Sequence, residues 1–95
     1  MPGYERAEIS AELTVVASRQ GEIPPSEQLE AAKRAASESG LAREAGPETT
    51  ALAGGRREVL EAAMRVAEAA LDAGARAVRV EVEAQGAAPR FGEGD

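Results

Sequence analysis

Two stretches of alternating residues, one near each end of the chain, constrain its fold more than any other feature. Apolar side chains occupy every second position of residues 8–17, and three valines do the same within 76–84. A period of two places apolar side chains on one face of a strand and polar ones on the other. The sequence therefore predicts two half-buried strands, whose inward residues are Ile9, Ala11, Leu13, Val15 and Ala17 in the first, and Val78, Val80, Val82 and Ala84 in the last.

Two segments between these strands have the spacing of helices. Residues 26–39 follow two prolines, begin with acidic residues in the first turn, and end before Gly40. Residues 56–73 repeat apolar side chains every three or four positions and end before Gly74. We expect each helix to bury one apolar stripe, formed by Leu29, Ala32, Ala35 and Ala36 in the first, and by Val59, Leu60, Ala63, Val66, Ala67, Ala70 and Leu71 in the second.

Two short strands complete the pattern. Residues 41–45 and 49–53 are separated by Gly46, Pro47 and Glu48, which favour a turn. The order is then strand, helix, strand, strand, helix, strand. Because each βαβ unit takes a right-handed crossover, both helices fall on the same side of the sheet. The prediction is an α+β, ferredoxin-like βαββαβ fold, a four-stranded antiparallel sheet with two helices on one face and the first and third strands in the middle.

The chain has the length of one domain and few large side chains to fill its core. We expect the domain over residues 8–84, between an N-terminal extension, 1–7, and a flexible C-terminal tail, 85–95. Leu, Ile, Val and Phe account for only 16 of 95 residues, whereas alanine accounts for 22. Burial of so few large side chains does not offset the entropy lost on folding, which favours further burial between subunits. We therefore expect a homo-oligomer.

Four residue types are missing altogether, namely cysteine, histidine, tryptophan and asparagine. Without cysteine or histidine the chain lacks the usual ligands of zinc, haem and iron–sulfur centres, and also thiol and Ser–His nucleophiles. An enzyme would have to rely on carboxylates and hydroxyls, so we expect no catalysis, no catalytic residue, no metal and no cofactor. The absence of disulfides fits a cytoplasmic protein.

The charge balance bears on the choice of partner. The chain has 11 basic and 17 acidic residues and a net charge of -6. No cluster of adjacent basic residues is longer than the pair Arg56 and Arg57. This balance argues against nucleic acid, whose phosphates attract basic surfaces. No apolar run approaches the length of a membrane span. We expect neither nucleic acid nor membrane as a partner, and regard a cationic or neutral small molecule as the more natural one.

The sheet face that the helices leave open should be polar and acidic. The alternation assigns to it Glu8, Ser10, Glu12 and Thr14 from the first strand, Arg79, Glu81 and Glu83 from the last, and alternate residues of 49–53. Most charged strand faces are simply solvated. The functional interpretation is a polar pocket for a cation or an amine, because grouped glutamates attract positive charge. The only aromatic residues, Tyr4 and Phe91, lie outside the strands, which excludes the base-stacking sheet of an RNA-recognition domain.

Three short motifs occur together and in order along the chain. They are Ser-Gly-Leu at residues 39–41, Pro-x-x-Thr-x-x-x-Gly through Pro47, Thr50 and Gly54, and Ala-Gly-Ala-Arg at 73–76. With the residues around them, these motifs resemble the small thiamine-binding protein family (YkoF-like), and the resemblance spans residues 8–84. It implies a ferredoxin-like subunit that assembles through its sheet into dimers or tetramers and binds thiamine, or a related pyrimidine or thiazole compound, without catalysis.

The resemblance also implies which residues contact the ligand. Thr50 matches the central motif, and Ser10, Glu12 and Thr14 lie on the strand expected to face it. Our hypothesis is a cytoplasmic, homo-oligomeric binding protein for a small cationic heterocycle, with ligand-binding residues Ser10, Glu12, Thr14, Thr49 and Thr50. The alternative is a structural or regulatory oligomer, in which the polar sheet face is a subunit interface.

Overall fold

The structure, a computed structural model, describes residues 8–84. They form six elements, which are β1 (Ile9–Val16), α1 (Pro25–Ser39), β2 (Ala42–Ala45), β3 (Thr49–Gly54), α2 (Arg56–Asp72) and β4 (Ala77–Ala84). The strands make one antiparallel sheet in the order β2-β3-β1-β4. The predicted ferredoxin-like α+β fold is confirmed, with β1 and β3 in the middle. The predicted N-terminal extension, residues 1–7, and the predicted tail, 85–95, lie outside the described residues.

The register of the sheet fixes which side chains share a face. Leu13 of β1 lies opposite Thr50 of β3 and Val80 of β4. Since side chains paired across an antiparallel ladder point the same way, these three lie on the side that carries the helices. The predicted alternation of β1 is confirmed, because Ile9, Ala11, Leu13 and Val15 are all buried.

The helices start and stop where the backbone chemistry predicts. α1 begins with Pro25 at its first position, where a missing N–H costs nothing. It ends at Gly40, whose φ of 77° is in the left-handed region that glycine adopts readily. The residues that α1 buries include Ala32 and Ala36, as predicted, with Leu29 and Ala35 partly buried. Because alanine adds little bulk, α1 lies close to β2, β3 and α2.

Four predicted core residues are half exposed. Leu60 and Leu71 of α2 retain 45% and 50% of their accessible surface, and Val80 and Val82 of β4 retain 46% and 44%. The valines do point to the helix side, as predicted, but β4 is an edge strand that α2 covers only in part. Ala67 is partly buried. Periodicity identified the direction of these side chains correctly and their burial wrongly, because α2 covers β4 only in part.

A buried glutamine holds the loop between β1 and α1. Gln28 has no exposed surface. Its Nε2 donates hydrogen bonds to the carbonyl oxygens of Ser18 (3.0 Å) and Ile23 (2.8 Å), and its Oε1 accepts one from the backbone N–H of Ser18 (2.8 Å). The polar atoms of the side chain are therefore satisfied without water, and the loop is tied to the first turn of the helix.

Candidate functional site

The open face of the sheet carries the side chains that alternate with the core. On β1 these are Ser10, Glu12 and Thr14, and the register with β4 places them opposite Glu83, Glu81 and Arg79 respectively. On the other side of β1, the register with β3 places them opposite Ala53, Ala51 and Thr49. On this face, two of the three β4 side chains are acidic, and the three β3 side chains are small.

A shallow depression of about 210 Å³ lies in this face. Its walls are formed by Ser10, Ala11, Glu12, Ala51, Glu81 and Glu83. The small Ala51 forms its floor on the β3 side, and carboxylates stand around it on β1 and β4. Three of the lining side chains are acidic and none is basic, so the electrostatic potential in the depression favours positive charge.

The register brings two of these carboxylates face to face. Glu12 and Glu81 are directly opposite on neighbouring strands. Like charges in that position repel and destabilise a sheet by a few tenths of a kcal/mol up to about 1 kcal/mol. A cation bound between them would remove this repulsion, so the arrangement costs stability without a cation and gains from one.

The structure brings four of the five predicted site residues to one face. Ser10 and Glu12 line the depression. Thr14 and Thr49 lie on the same face and pair with each other. Thr14 is two residues from Glu12 along β1 and lies opposite Arg79 of β4. They border the depression without lining it.

The fifth residue, Thr50, lies on the opposite face. It is 3% exposed and pairs with the core residue Leu13, beneath the helices. Consecutive residues of a strand point to opposite faces, so Thr49 and Thr50 cannot both contribute to one surface. The structure therefore does not bring Thr50 together with Ser10 and Glu12, because Thr50 points to the other face of the sheet. The sequence contained a signal for this, because Thr50 is two residues from the apolar Leu52 and so lies on the same, inward face of β3.

Two lining residues were assigned to the open face without being included in the predicted site. Glu81 and Glu83 complete the acidic wall, although the family motifs do not include them. The alternation of β4 was enough to predict their direction. The pairing of β4 with β1, rather than with β3, brings them next to Ser10 and Glu12.

Glu8, also expected on this face, has a different role in the structure. Its Oε1 accepts a hydrogen bond of 2.8 Å from the backbone N–H of Arg56, the first residue of α2. The N-cap residue Gly55 has no side chain to cap the helix. A carboxylate at this end satisfies one of the free N–H groups and complements the helix dipole. Glu8 therefore caps α2 and is not part of the wall of the depression.

The described residues contain no group of three or more carboxylates placed to hold a metal ion. Glu12, Glu81 and Glu83 thus line the depression without converging on one point. Among the same residues, neither helix has the length and apolar character needed to cross a membrane.

Comparison with known proteins supports the fold. No family model matches the chain, and no curated protein is significantly similar to it in sequence. A solved structure of a domain of unknown function, DUF77, from Bacillus cereus superposes with a TM-score of 0.63. The match covers 84% of this chain and 76% of the other, at 24% sequence identity. At that identity the likeness establishes a shared fold, a small α+β domain with two helices on a four-stranded sheet.

Proposed function

We propose that the protein is a cytoplasmic, non-enzymatic, homo-oligomeric binding protein for a small cationic heterocycle, thiamine or one of its precursors. The observation that carries the proposal is the acidic depression on the open sheet face, lined by Ser10, Glu12, Glu81 and Glu83. The cytoplasmic location rests on the absence of cysteine.

The shape of the depression favours a small or partly enclosed ligand. Its volume of about 210 Å³ is below the range of roughly 300 to 1,000 Å³ that drug-sized ligands occupy. One subunit therefore provides one wall of a site for a ring system of thiamine's size. A second copy placed over the face would provide the other wall, which links binding to assembly.

The choice of thiamine rests on the motif resemblance and on charge. A thiazolium ring carries a positive charge that three nearby carboxylates complement. Residues 8–84 contain no aromatic ring to stack on it, because both aromatic residues of the chain, Tyr4 and Phe91, lie outside that range. The carboxylates must then provide most of the recognition, and binding should weaken as salt screens them.

Isothermal titration of the full chain with thiamine tests the proposal. We expect saturable binding that weakens with rising salt concentration, and about two- to fivefold weaker binding for Glu12→Gln, the usual contribution of one exposed charge pair. Glu30→Gln is the matched control, because it makes the same change in net charge on the exposed side of α1. Absence of heat and of any thermal shift at millimolar thiamine would refute the ligand assignment.

A second variant tests whether Thr50, which the family motif suggests as a ligand-binding residue, contacts the ligand. Thr50→Val preserves the size and shape of a side chain that lies beneath the helices. We expect this variant to bind thiamine as the wild type does, because residue 50 does not reach the open face. A loss of binding in Thr50→Val with unchanged folding would show that the ligand lies on the helix side of the sheet instead.

The alternative function, a structural or regulatory oligomer that buries this face, is favoured by the small residues along β3. Thr49, Ala51 and Ala53 offer a low surface that a second sheet could approach closely. Under this alternative, Glu12→Lys lowers the mass of the oligomer and thiamine has no effect on it. Under the binding proposal, thiamine raises the unfolding temperature of the assembled protein.

A further inference from the structure

A second polar region lies on the open face of the sheet, beside the acidic depression. Arg79 of β4 lies opposite Thr14 of β1, and Thr14 lies opposite Thr49 of β3. Side chains paired across antiparallel strands share a face, so these three residues form one row across the sheet. We call them the Arg–Thr row. Thr14 and Thr49 are also the two predicted site residues on this face that do not line the depression.

The two threonines of the row are close enough to bind one group together. The backbone N–H of Val15 donates a hydrogen bond of 2.9 Å to the carbonyl oxygen of Glu48. Hydrogen-bonded and non-hydrogen-bonded pairs alternate along an antiparallel ladder, so Thr14 and Thr49 form a non-hydrogen-bonded pair, whose Cα atoms are about 4.5 Å apart. Both threonines are partly exposed, and among residues 8–84 neither hydroxyl makes a hydrogen bond.

The row is accessible at both ends. Gly46 pairs with Thr49 across the hairpin, and a Cβ at position 46 would lie 2.7 Å from the hydroxyl oxygen of Thr49, so glycine leaves that oxygen uncovered. At the other end, Arg79 is exposed and makes no ion pair with a carboxylate of the described residues. The row therefore presents two hydroxyls and one guanidinium on the same side of the sheet.

These three groups have the chemistry of a phosphate site. A guanidinium donates two parallel hydrogen bonds to a phosphate, and each hydroxyl can donate one more. Glu12 and Glu81 lie two residues along their strands from Thr14 and Arg79, a step of about 7 Å between side chains of the same face. The open face therefore carries a negative region and a positive group side by side.

We propose that the open face binds the phosphorylated form of its ligand, with the cationic ring in the acidic depression and a phosphate monoester on the Arg–Thr row. The inference rests on the proposed function, which places the ring. In thiamine phosphate the phosphate is attached to the thiazolium ring through an arm of two carbon atoms, which spans about one step between neighbouring rows of the sheet. Thr14 and Thr49 then contact the ligand through its phosphate, beyond the walls of the depression.

The neighbouring carboxylates make the row selective for a molecule that carries both charges. Inorganic phosphate is attracted by Arg79 but repelled by Glu12 and Glu81, which lie only one step away. The ring without its phosphate is attracted by the carboxylates, repelled by Arg79, and leaves the row unused. A cationic ring with a phosphate on a short arm satisfies both regions at once.

A comparison of two ligands on one variant tests the inference. Isothermal titration of the full chain measures the affinity for thiamine and for thiamine monophosphate at the same ionic strength. We expect the wild type to bind the monophosphate about two- to fivefold more tightly, the usual contribution of one exposed charge pair. Arg79→Gln should weaken binding of the monophosphate by that factor and bind thiamine at least as tightly as the wild type does. Damage to the fold would instead weaken both.

Two further variants complete the test. Arg34→Gln is the matched control, because it removes the same charge from the exposed side of α1 and should keep the wild-type preference for the monophosphate. Thr14→Val combined with Thr49→Val keeps the shape of both side chains, removes both hydroxyls, and should lower that preference.

The outcomes separate this inference from the proposed function. Equal affinity of the wild type for the two ligands, or an equal loss of both in Arg79→Gln, would overturn the phosphate assignment and leave thiamine binding in place. Binding of neither ligand would overturn the proposed function and this inference together. Binding of inorganic phosphate as tightly as thiamine monophosphate would also overturn the inference, since the ring would then contribute nothing.

Discussion

Gln28 shows how one polar side chain can hold a loop in place. It is fully buried, and its amide makes three hydrogen bonds to the backbone of Ser18 and Ile23. An amide is suited to this role, since it can both donate and accept. No other side chain of similar size satisfies two carbonyl oxygens and one N–H together.

Replacing Gln28 should therefore destabilise the protein strongly. Gln28→Ala leaves buried backbone groups unsatisfied, and we expect a loss of about 3 kcal/mol in the free energy of unfolding. Gln28→Glu keeps the size but places a carboxylate against two carbonyl oxygens, which raises the pKa of the introduced carboxyl group. Its stability should be highest below the ordinary pKa of glutamate, about 4.3, and fall as the pH rises from there to the raised pKa, because in that range only the folded chain holds the proton.

Urea unfolding of the variants at several pH values measures both effects. Gln20→Ala is the control, because Gln20 is an exposed glutamine in the same loop. Its hydrogen bond to the Ser18 hydroxyl comes from the backbone N–H, which the substitution retains. If Gln28→Ala unfolds at the same urea concentration as Gln20→Ala, the loop is not held by this side chain.

At the scale of the element, alanine side chains let α1 pack closely against its neighbours. Ala32 and Ala36 are 1% and 0% exposed, and α1 packs against α2, β2 and β3. The helix therefore gains its stability from close approach rather than from large apolar side chains. The scarcity of Leu and Ile in the sequence is compatible with a packed core for this reason.

Enlarging one of these alanines should separate α1 from its neighbours. We expect Ala36→Leu to lower the free energy of unfolding by about 1 to 3 kcal/mol, the usual cost of overpacking. Arg34→Leu, on the exposed side of the same helix, adds a leucine without a clash and should change stability by less than about 0.5 kcal/mol. Equal stabilities of the two variants in thermal unfolding would show that the α1 interface is loosely packed.

At the scale of the whole molecule, the large apolar side chains are divided between a core and an edge. The largest fully buried apolar residues are Leu13, Leu52, Val59 and Val66. Other large apolar side chains, Leu60, Met64 and Leu71 of α2 and Val80 and Val82 of β4, are 44% to 64% exposed. A domain with so small a core is expected to be marginal alone and to gain stability when the edge is covered.

The unfolding temperature should therefore depend on protein concentration. For a dimer that unfolds to separate chains, each tenfold increase in concentration should raise the midpoint by about 3 to 5 °C for a chain of this size. Scanning calorimetry at several concentrations measures the slope, and a wild-type midpoint that does not move would contradict an obligate oligomer.

The strands, the helices and their order were predictable from the sequence because each follows a local pattern. The alternation around Leu13 and around Val80 predicted which way each side chain points, and the fold followed from the order of elements. The candidate site was predictable in part, since Ser10, Glu12, Glu81 and Glu83 were correctly assigned to the open face. A motif match suggested Thr50, and local alternation placed it on the other side.

The sequence by itself determined the direction of each side chain relative to its own helix or strand. Only the tertiary structure decided what lies above that side chain. Val80 and Leu13 point to the same side of the sheet, yet one is half exposed and the other buried, because α2 lies over β1 and only partly over β4. Gln28 is buried because the loop after β1 bends back over it. The physical reason is that periodicity reports geometry within an element, whereas burial depends on where a neighbouring element comes to rest.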